Sequence, residues 1–240
     1  MATKTGPRVV PGNEFLEEIE EIREQVTEGK PLRNRVLPKS PEDMRETRRQ
    51  RGGTGTSLPK TNTERGLRVP DAKLRRLQLR KTIDEAGQDI FGGTYPAHSE
   101  LDRIVSRAFG VTDDEMDAVA RQDGTPESLV CSGWYASLLR ESSWPMGIGT
   151  ALVSEGEKLN PKRRQWTLDH MEKLRQLYEE WEIEHVDRAT LRDDVHAEVD
   201  VEHSNLDADT IREYVNTAEL QDEFRRDWML RIQEIQTWRL

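Results

Sequence analysis

Apolar residues recur along the chain at spacings of three and four, and no stretch alternates as a half-buried strand would. Over residues 13–28, Phe15, Ile19, Ile22 and Val26 form one stripe, with Asn13 as a cap and Gly29 as a stop. Val69-Pro70-Asp71 opens a helix carrying Leu74, Leu77 and Ile83 and reaching Glu85 before Gly87. Leu101, Ile104, Val105, Ala108 and Phe109 give a strongly amphipathic helix from Ser99 to Gly110. Thr112 and Glu115 make a capping box for a short helix through Met116 and Val119. Thr125-Pro126 starts the next, whose buried residues are Leu129, Trp134, Leu138 and Leu139. Pro145 and Gly147 break the chain before a helix with Ile148, Ala151, Leu152 and Glu155. Trp166, Met171, Leu174, Tyr178 and Trp181 follow Pro161 in another. Asp187 or Thr190 caps a helix through residues 194–205, and Asp207 or Asp209 caps one more. Leu220, Phe224, Trp228, Ile235 and Trp238 line a long last helix. No internal repeat interrupts the series, and the predicted class is all-α.

Charge changes this picture at one place. Residues 30–66 hold ten Lys and Arg against four Asp and Glu, with Gly, Pro and Thr and few large apolar side chains. Such a stretch cannot repay its ordering entropy by burial, so 1–66 is expected to be an N-terminal helix plus a basic linker and 67–240 the helical domain. Over the whole chain the formal charge is −10, which disfavours nucleic acid as the main partner. No apolar run is long enough for a bilayer, and the start M-A-T-K-T-G-P lacks the apolar core of a signal peptide. The single cysteine, Cys131, excludes an internal disulfide and suits a reducing, cytoplasmic setting.

The stretch Asp194 to Asn205 carries the chemistry. On a helix, His196, Asp200 and His203 stand at i, i+4 and i+7, within an arc of about 60°. Two imidazoles and a carboxylate converging there suit a redox-active divalent metal such as iron, and other helices must complete the shell. Glu85 near the end of its basic helix, His98 at the start of the next and Glu155 after the small-residue run G-I-G-T-A-L-V-S are the candidates. Each has a plain alternative as a surface charge, a cap or an exposed residue. Glu182 and His185 form the one strict E-x-x-H, the spacing of ferritin-like di-iron sites, in a segment that reads as a helix end. His170 sits in a charged helix and reads as exposed. Glu198 and Glu202 interleave the triplet and point elsewhere.

Four stretches together resemble the haem-oxygenase-like di-iron oxidases and oxygenases: V-P-D-A-K-L-R-R-L-Q-L-R-K-T-I-D-E-A-G, P-A-H-S-E-L-D-R-I-V-S-R-A-F-G-V-T-D-D-E, G-T-A-L-V-S-E-G-E and, above all, H-A-E-V-D-V-E-H. The superfamily also holds thiaminase-type proteins and the pyrroloquinoline quinone synthase. The likeness covers roughly Leu67 to Leu240 and implies a bundle of about seven helices. It implies two Fe(II) ions held by Glu85, His98, Glu155, His196, Asp200 and His203, with Glu155 bridging and no catalytic residue beyond the ligands. The basic 30–66 stretch stands where the family has an aromatic-rich second helix. Glu85 and His98 are widely spaced around Gly92-Gly93, and extra residues separate Glu155 from His196.

The implied function is O2-dependent oxidation of a small amino-acid-like or fatty-acid-like carboxylate by desaturation, C–C cleavage or N-oxygenation. It requires an external reductant, and a pocket left open would be completed by a second copy of the chain. The alternatives are a metal-free thiaminase-like or cofactorless oxidase member of the superfamily, or a helical binding protein using the basic stretch. Against a thiaminase, Cys131 is not on the Glu155 helix.

Overall fold

In a computed structural model, residues 9–30, 37–54, 63–64, 66–87, 96–121, 144–155 and 160–237 are described. The fold is all-α. Among the described residues there is no strand, and nine helices of nine residues or more follow one another: α1 (Gly12–Thr27), α2 (Pro41–Thr54), α3 (Ala72–Glu85), α4 (His98–Ala108), α5 (Asp113–Arg121), α6 (Trp144–Glu155), α7 (Pro161–Glu180), α8 (Val186–Tyr214) and α9 (Ala218–Thr237). None of these is long and apolar enough to cross a membrane. The helix expected from Thr125 to Leu139, with Cys131, lies outside the described residues.

Two starts follow the predicted chemistry, and a third is capped by a residue that the spacing pattern did not single out. Asp71 accepts the Leu74 N–H at 2.7 Å ahead of α3. Thr112 and Glu115 exchange the reciprocal bonds of a capping box, at 2.8 Å and 3.3 Å. Asn160 receives the N–H groups of Lys162 and Arg163 at the start of α7.

Several expectations need correction. Asn13 does not cap α1, which begins at Gly12 after Pro11, and Asp187 and Thr190 lie inside α8, which begins at Val186. Residues 41–54 of the supposed linker are helical as α2. Ser40-Pro41-Glu42-Asp43 is a start signal that the basic composition obscured: the Asp43 N–H bonds to Ser40 Oγ, and the Lys39 N–H bonds back to Asp43, each at 3.2 Å. Met44 and Arg48, one turn apart, are buried and give the helix its packed side. Pro145 does not precede α6 but occupies its first turn, where a missing N–H costs nothing. Asp207 and Asp209 cap no new helix. No Gly or Pro breaks the chain there, so α8 runs on for 29 residues, with Asp207 fully buried.

The chain divides into two compact units. The first comprises Met1–Arg35, Leu139–Arg164 and Asp200–Leu240. Its core joins Phe15 and Ile19 of α1, Leu152 and Val153 of α6, Ile211 and Val215 around the end of α8, and Phe224, Trp228 and Ile232 of α9. Phe15 meets Phe224 edge-on at 5.7 Å, and Trp228 Nε1 donates to the Ile19 carbonyl at 2.9 Å. The buried amide of Gln221 ties down the chain entering α1, receiving the Val10 N–H and donating to the Val10 carbonyl.

The second unit comprises Val36–Leu138 and Gln165–Val199. Met44, Val105, Phe109, Leu174, Tyr178 and Ala189 form its core, with Phe109 edge-on to Tyr178 at 5.0 Å. Arg45 of α2 grips Glu115 of α5 through two bonds of 2.7 Å and 2.9 Å. The Ser106 hydroxyl of α4 reaches the Arg48 carbonyl at 3.0 Å. These polar ties, more than apolar area, seat the basic helix α2.

Candidate functional site

The second unit brings two of the predicted ligands together. His98 opens α4 and is buried; His196 is half-buried on α8. Their Nε2 atoms lie 3.1 Å apart, and the rings meet edge-on with centroids at 4.3 Å. Nδ1 of His196 is 2.6 Å from the Arg192 carbonyl one turn earlier. A carbonyl can only accept, so Nδ1 carries the proton, and in the neutral ring Nε2 presents its lone pair to His98.

Arg192 and Asp102 complete the cluster, and nothing in the spacing pattern announced either. Arg192 Nε sits 2.8 Å from Oδ1 of the buried Asp102, one turn after His98 on α4. Its Nη2 is 3.2 Å from His98 Nε2. A second, looser layer lies behind: Asp193 is 4.0 Å from Arg192 and 3.8 Å from the buried Arg48. Arg175 reaches Asp194 at 3.0 Å and shares it with the Thr190 hydroxyl, which holds that turn of α8.

Of the other four predicted ligands, two have side chains among the described residues. Glu85 is the last residue of α3 and Glu155 the last of α6, and both side chains lie outside the described residues. Backbone geometry still bears on each. Glu85 and His98 are on separate helices, but a Cβ on Gly87 would stand 2.6 Å from the Ala97 nitrogen, so the end of α3 closes on the start of α4. Gly87 also has φ +89°, a conformation that favours glycine. In the first unit, the buried guanidinium of Arg23 donates to the Leu152 and Val153 carbonyls at 3.0 Å and 2.6 Å. It thereby satisfies the open C-terminal turn that ends in Glu155.

Asp200 and His203 belong to the first unit and are 9% and 2% exposed, on the part of α8 that also buries Ser204, Asp207 and Thr210. Asp207 is the residue the sequence reading missed as a site candidate. It stands at i+11 from His196, inside the same arc of about 60°. The continued spacing H-x-x-x-D-x-x-H-x-x-x-D was the available signal.

The rival E-x-x-H pair is not on a helix. Glu182 has φ 55°, and both Glu182 and His185 are exposed in the turn between α7 and α8. Without a helical register the two side chains have no common face to offer a metal. His170 is half-buried rather than exposed.

Among the described residues, no group of three or more His, Cys, Asp or Glu forms a metal-binding cluster. The histidine pair nevertheless fits a metal centre. Two nitrogen ligands about 2.1 Å from one metal and at a right angle lie about 3.0 Å apart. The observed separation is 3.1 Å, and the tautomer of His196 is fixed by a backbone carbonyl, as metal-bound imidazoles require. One contact opposes the fit: the Arg192 guanidinium, itself a cation, lies 3.2 Å from His98 Nε2.

A groove of about 800 Å³ in the first unit is a separate feature. Its α8 lining, Asn205, Ala208, Asp209 and Arg212, is roughly opposite to Asp200, His203 and Asp207 around the helix. Compared with models of known families and with curated protein sequences, the chain matches none.

Proposed function

We propose that this chain is a non-haem di-iron oxidase or oxygenase of the haem-oxygenase-like kind, acting on a small carboxylate-bearing molecule in the cytoplasm with an external reductant. The observation that carries the reading is the His98–His196 pair, with Nε2 atoms 3.1 Å apart and His196 Nδ1 committed to the Arg192 carbonyl. His98, His196, Asp200, His203, Glu85 and Glu155 are the residues that would hold the metals. Two Fe(II) ions, when bound, supply electrons to dioxygen.

The chain's own part is orientation. The Arg192 carbonyl fixes the His196 ring, and Asp102 fixes the Arg192 side chain at 2.8 Å. Arg23 holds the end of α6, and the Gly87–Ala97 approach holds the start of α4. Burial of Asp200 and His203 keeps water from those side chains.

The metal-free oxidase reading has one observation in its favour, the Arg192 guanidinium 3.2 Å from His98 Nε2, which already places a positive charge beside the pair. Anaerobic Fe(II) loading with metal counting separates the two. The di-iron reading expects about two irons per chain, lost for the most part in His196→Ala with helicity intact, and O2 uptake by the loaded protein. Glu155→Gln is expected to impair O2 uptake, whereas Glu182→Gln and His185→Ala leave it unchanged. A parent protein that takes up no iron removes the di-iron reading.

A further inference from the structure

Arg192 has more donors than its protein neighbours use. Nε lies 2.8 Å from Asp102 Oδ1 as an ion pair without a directed hydrogen bond, and Nη2 lies 3.2 Å from His98 Nε2. Among the described residues, Nη1 is approached by Asp193 alone, at 4.0 Å. A guanidinium has five N–H donors in a fixed plane. The Nη1–Nη2 edge is therefore largely uncommitted, at a side chain 19% exposed. The ion pair with the buried Asp102 keeps the guanidinium beside the two histidines, where its end edge can meet an anion.

We infer that Arg192 binds the carboxylate of the substrate end-on through Nη1 and Nη2, placing the rest of the molecule against the His98–His196 pair. The inference rests on the oxidase reading only in taking that pair as the reacting end. Charge selects the ligand class. Arg192 and Arg48 stand against Asp102 and Asp193, so the cluster is balanced in formal charge. A planar monoanion adds one negative charge and matches the two-donor edge, whereas a phosphate dianion adds two beside two carboxylates. Arg192 is thus a binding residue, and Asp102 a positioning residue that acts through it.

The test is calorimetric titration of the full chain with octanoate, with inorganic phosphate as the control, before and after anaerobic Fe(II) addition, iron being counted on the same samples. Octanoate is expected to bind in preference to phosphate. Arg192→Gln should weaken it about tenfold or more, the scale of a lost charge-assisted pair, at unchanged iron content. Arg192→Lys keeps charge without the fork and should lose less; if Arg192→Gln does not fold, a severalfold loss in Arg192→Lys serves in its place. Asp102→Asn should weaken octanoate too, by loosening the fork. Unchanged octanoate affinity in the Arg192 variants, or phosphate binding in place of octanoate, overturns the inference. So does loss of iron together with octanoate in Arg192→Lys, which would make Arg192 a support of the histidines. Octanoate binding that depends on Arg192 in a protein holding no iron sustains the inference and removes the di-iron reading alone.

Discussion

Arg23 and Glu115 are two charged side chains with opposite surroundings, and each yields a measurable expectation. Arg23 is 1% exposed, stacked 5.1 Å over Trp228, with Nη2 donating to two carbonyls of α6 and Nη1 3.2 Å from Glu20. Arg23→Met would fill the space but strand those carbonyls at about 1–3 kcal/mol each. Urea unfolding should show that loss, with Arg23→Lys intermediate; a neutral Arg23→Met would mean the end of α6 is held by something else. Glu115 accepts the Thr112 N–H, Nη2 of Arg45 and the Thr112 hydroxyl, and these hold its carboxyl down at about 2 instead of 4.5. A carboxyl depressed on folding stabilises the fold above its unfolded pKa and loses that contribution as pH falls through the folded value. The Tm difference between the parent and Glu115→Gln should therefore be full above about pH 5, shrink below about 4.5 and vanish near 2. A difference that stays constant down to pH 2 would contradict the assignment.

At the scale of elements, legibility followed the caps. Asp71 and Thr112 with Glu115 each fixed a start that the sequence shows plainly, because a cap is a local bond between residues three apart or fewer. α2 was lost for the opposite reason: its cap was present, but its packing depends on Arg45, Arg48 and one methionine, which a search for apolar stripes does not count. The unbroken α8 was lost because Asp207 is as good a cap as it is a buried helical residue, and only the surrounding packing decides. The same limit governs the site. His98 and His196 were legible as separate candidates, whereas Arg192 and Asp102 join them only through the contact of α4 with α8. That contact depends on where α4 begins. Gly87→Ala combines an unfavourable φ of +89° with a Cβ 2.6 Å from the Ala97 nitrogen. It should cost roughly 1–3 kcal/mol and displace His98. Calorimetry gives the first quantity, and the ring signals of His98 and His196 in a proton–nitrogen spectrum give the second. Unshifted signals would show that the α3–α4 approach does not position the pair.

Over the whole molecule, a net charge of −10 acts against compaction, and the question is whether the many ion pairs offset it. Most do little. Arg107 and Asp113, 43% and 55% exposed, typify surface pairs that contribute about 0–1 kcal/mol and are screened by salt. Pairs with a buried member, such as Arg163 with Glu20 and Arg192 with Asp102, are screened much less. Added salt therefore removes general repulsion and weak surface attraction together, while leaving the better-buried pairs. With ten surplus negative charges, the repulsive part is the larger. The Tm should accordingly rise between about 10 mM and about 0.5 M KCl, over which the screening length falls from about 30 Å to a few Å. α1 offers the internal control. Glu17 and Glu21 are exposed one turn apart on the same face, a like-charge arrangement that costs a few tenths of a kcal/mol. Glu17→Lys replaces that repulsion with attraction and lowers the net charge, so it should raise the Tm in low salt and lose its advantage in high salt. If the parent Tm falls over the same range, surface attraction outweighs repulsion, and the acidic balance is not what limits stability.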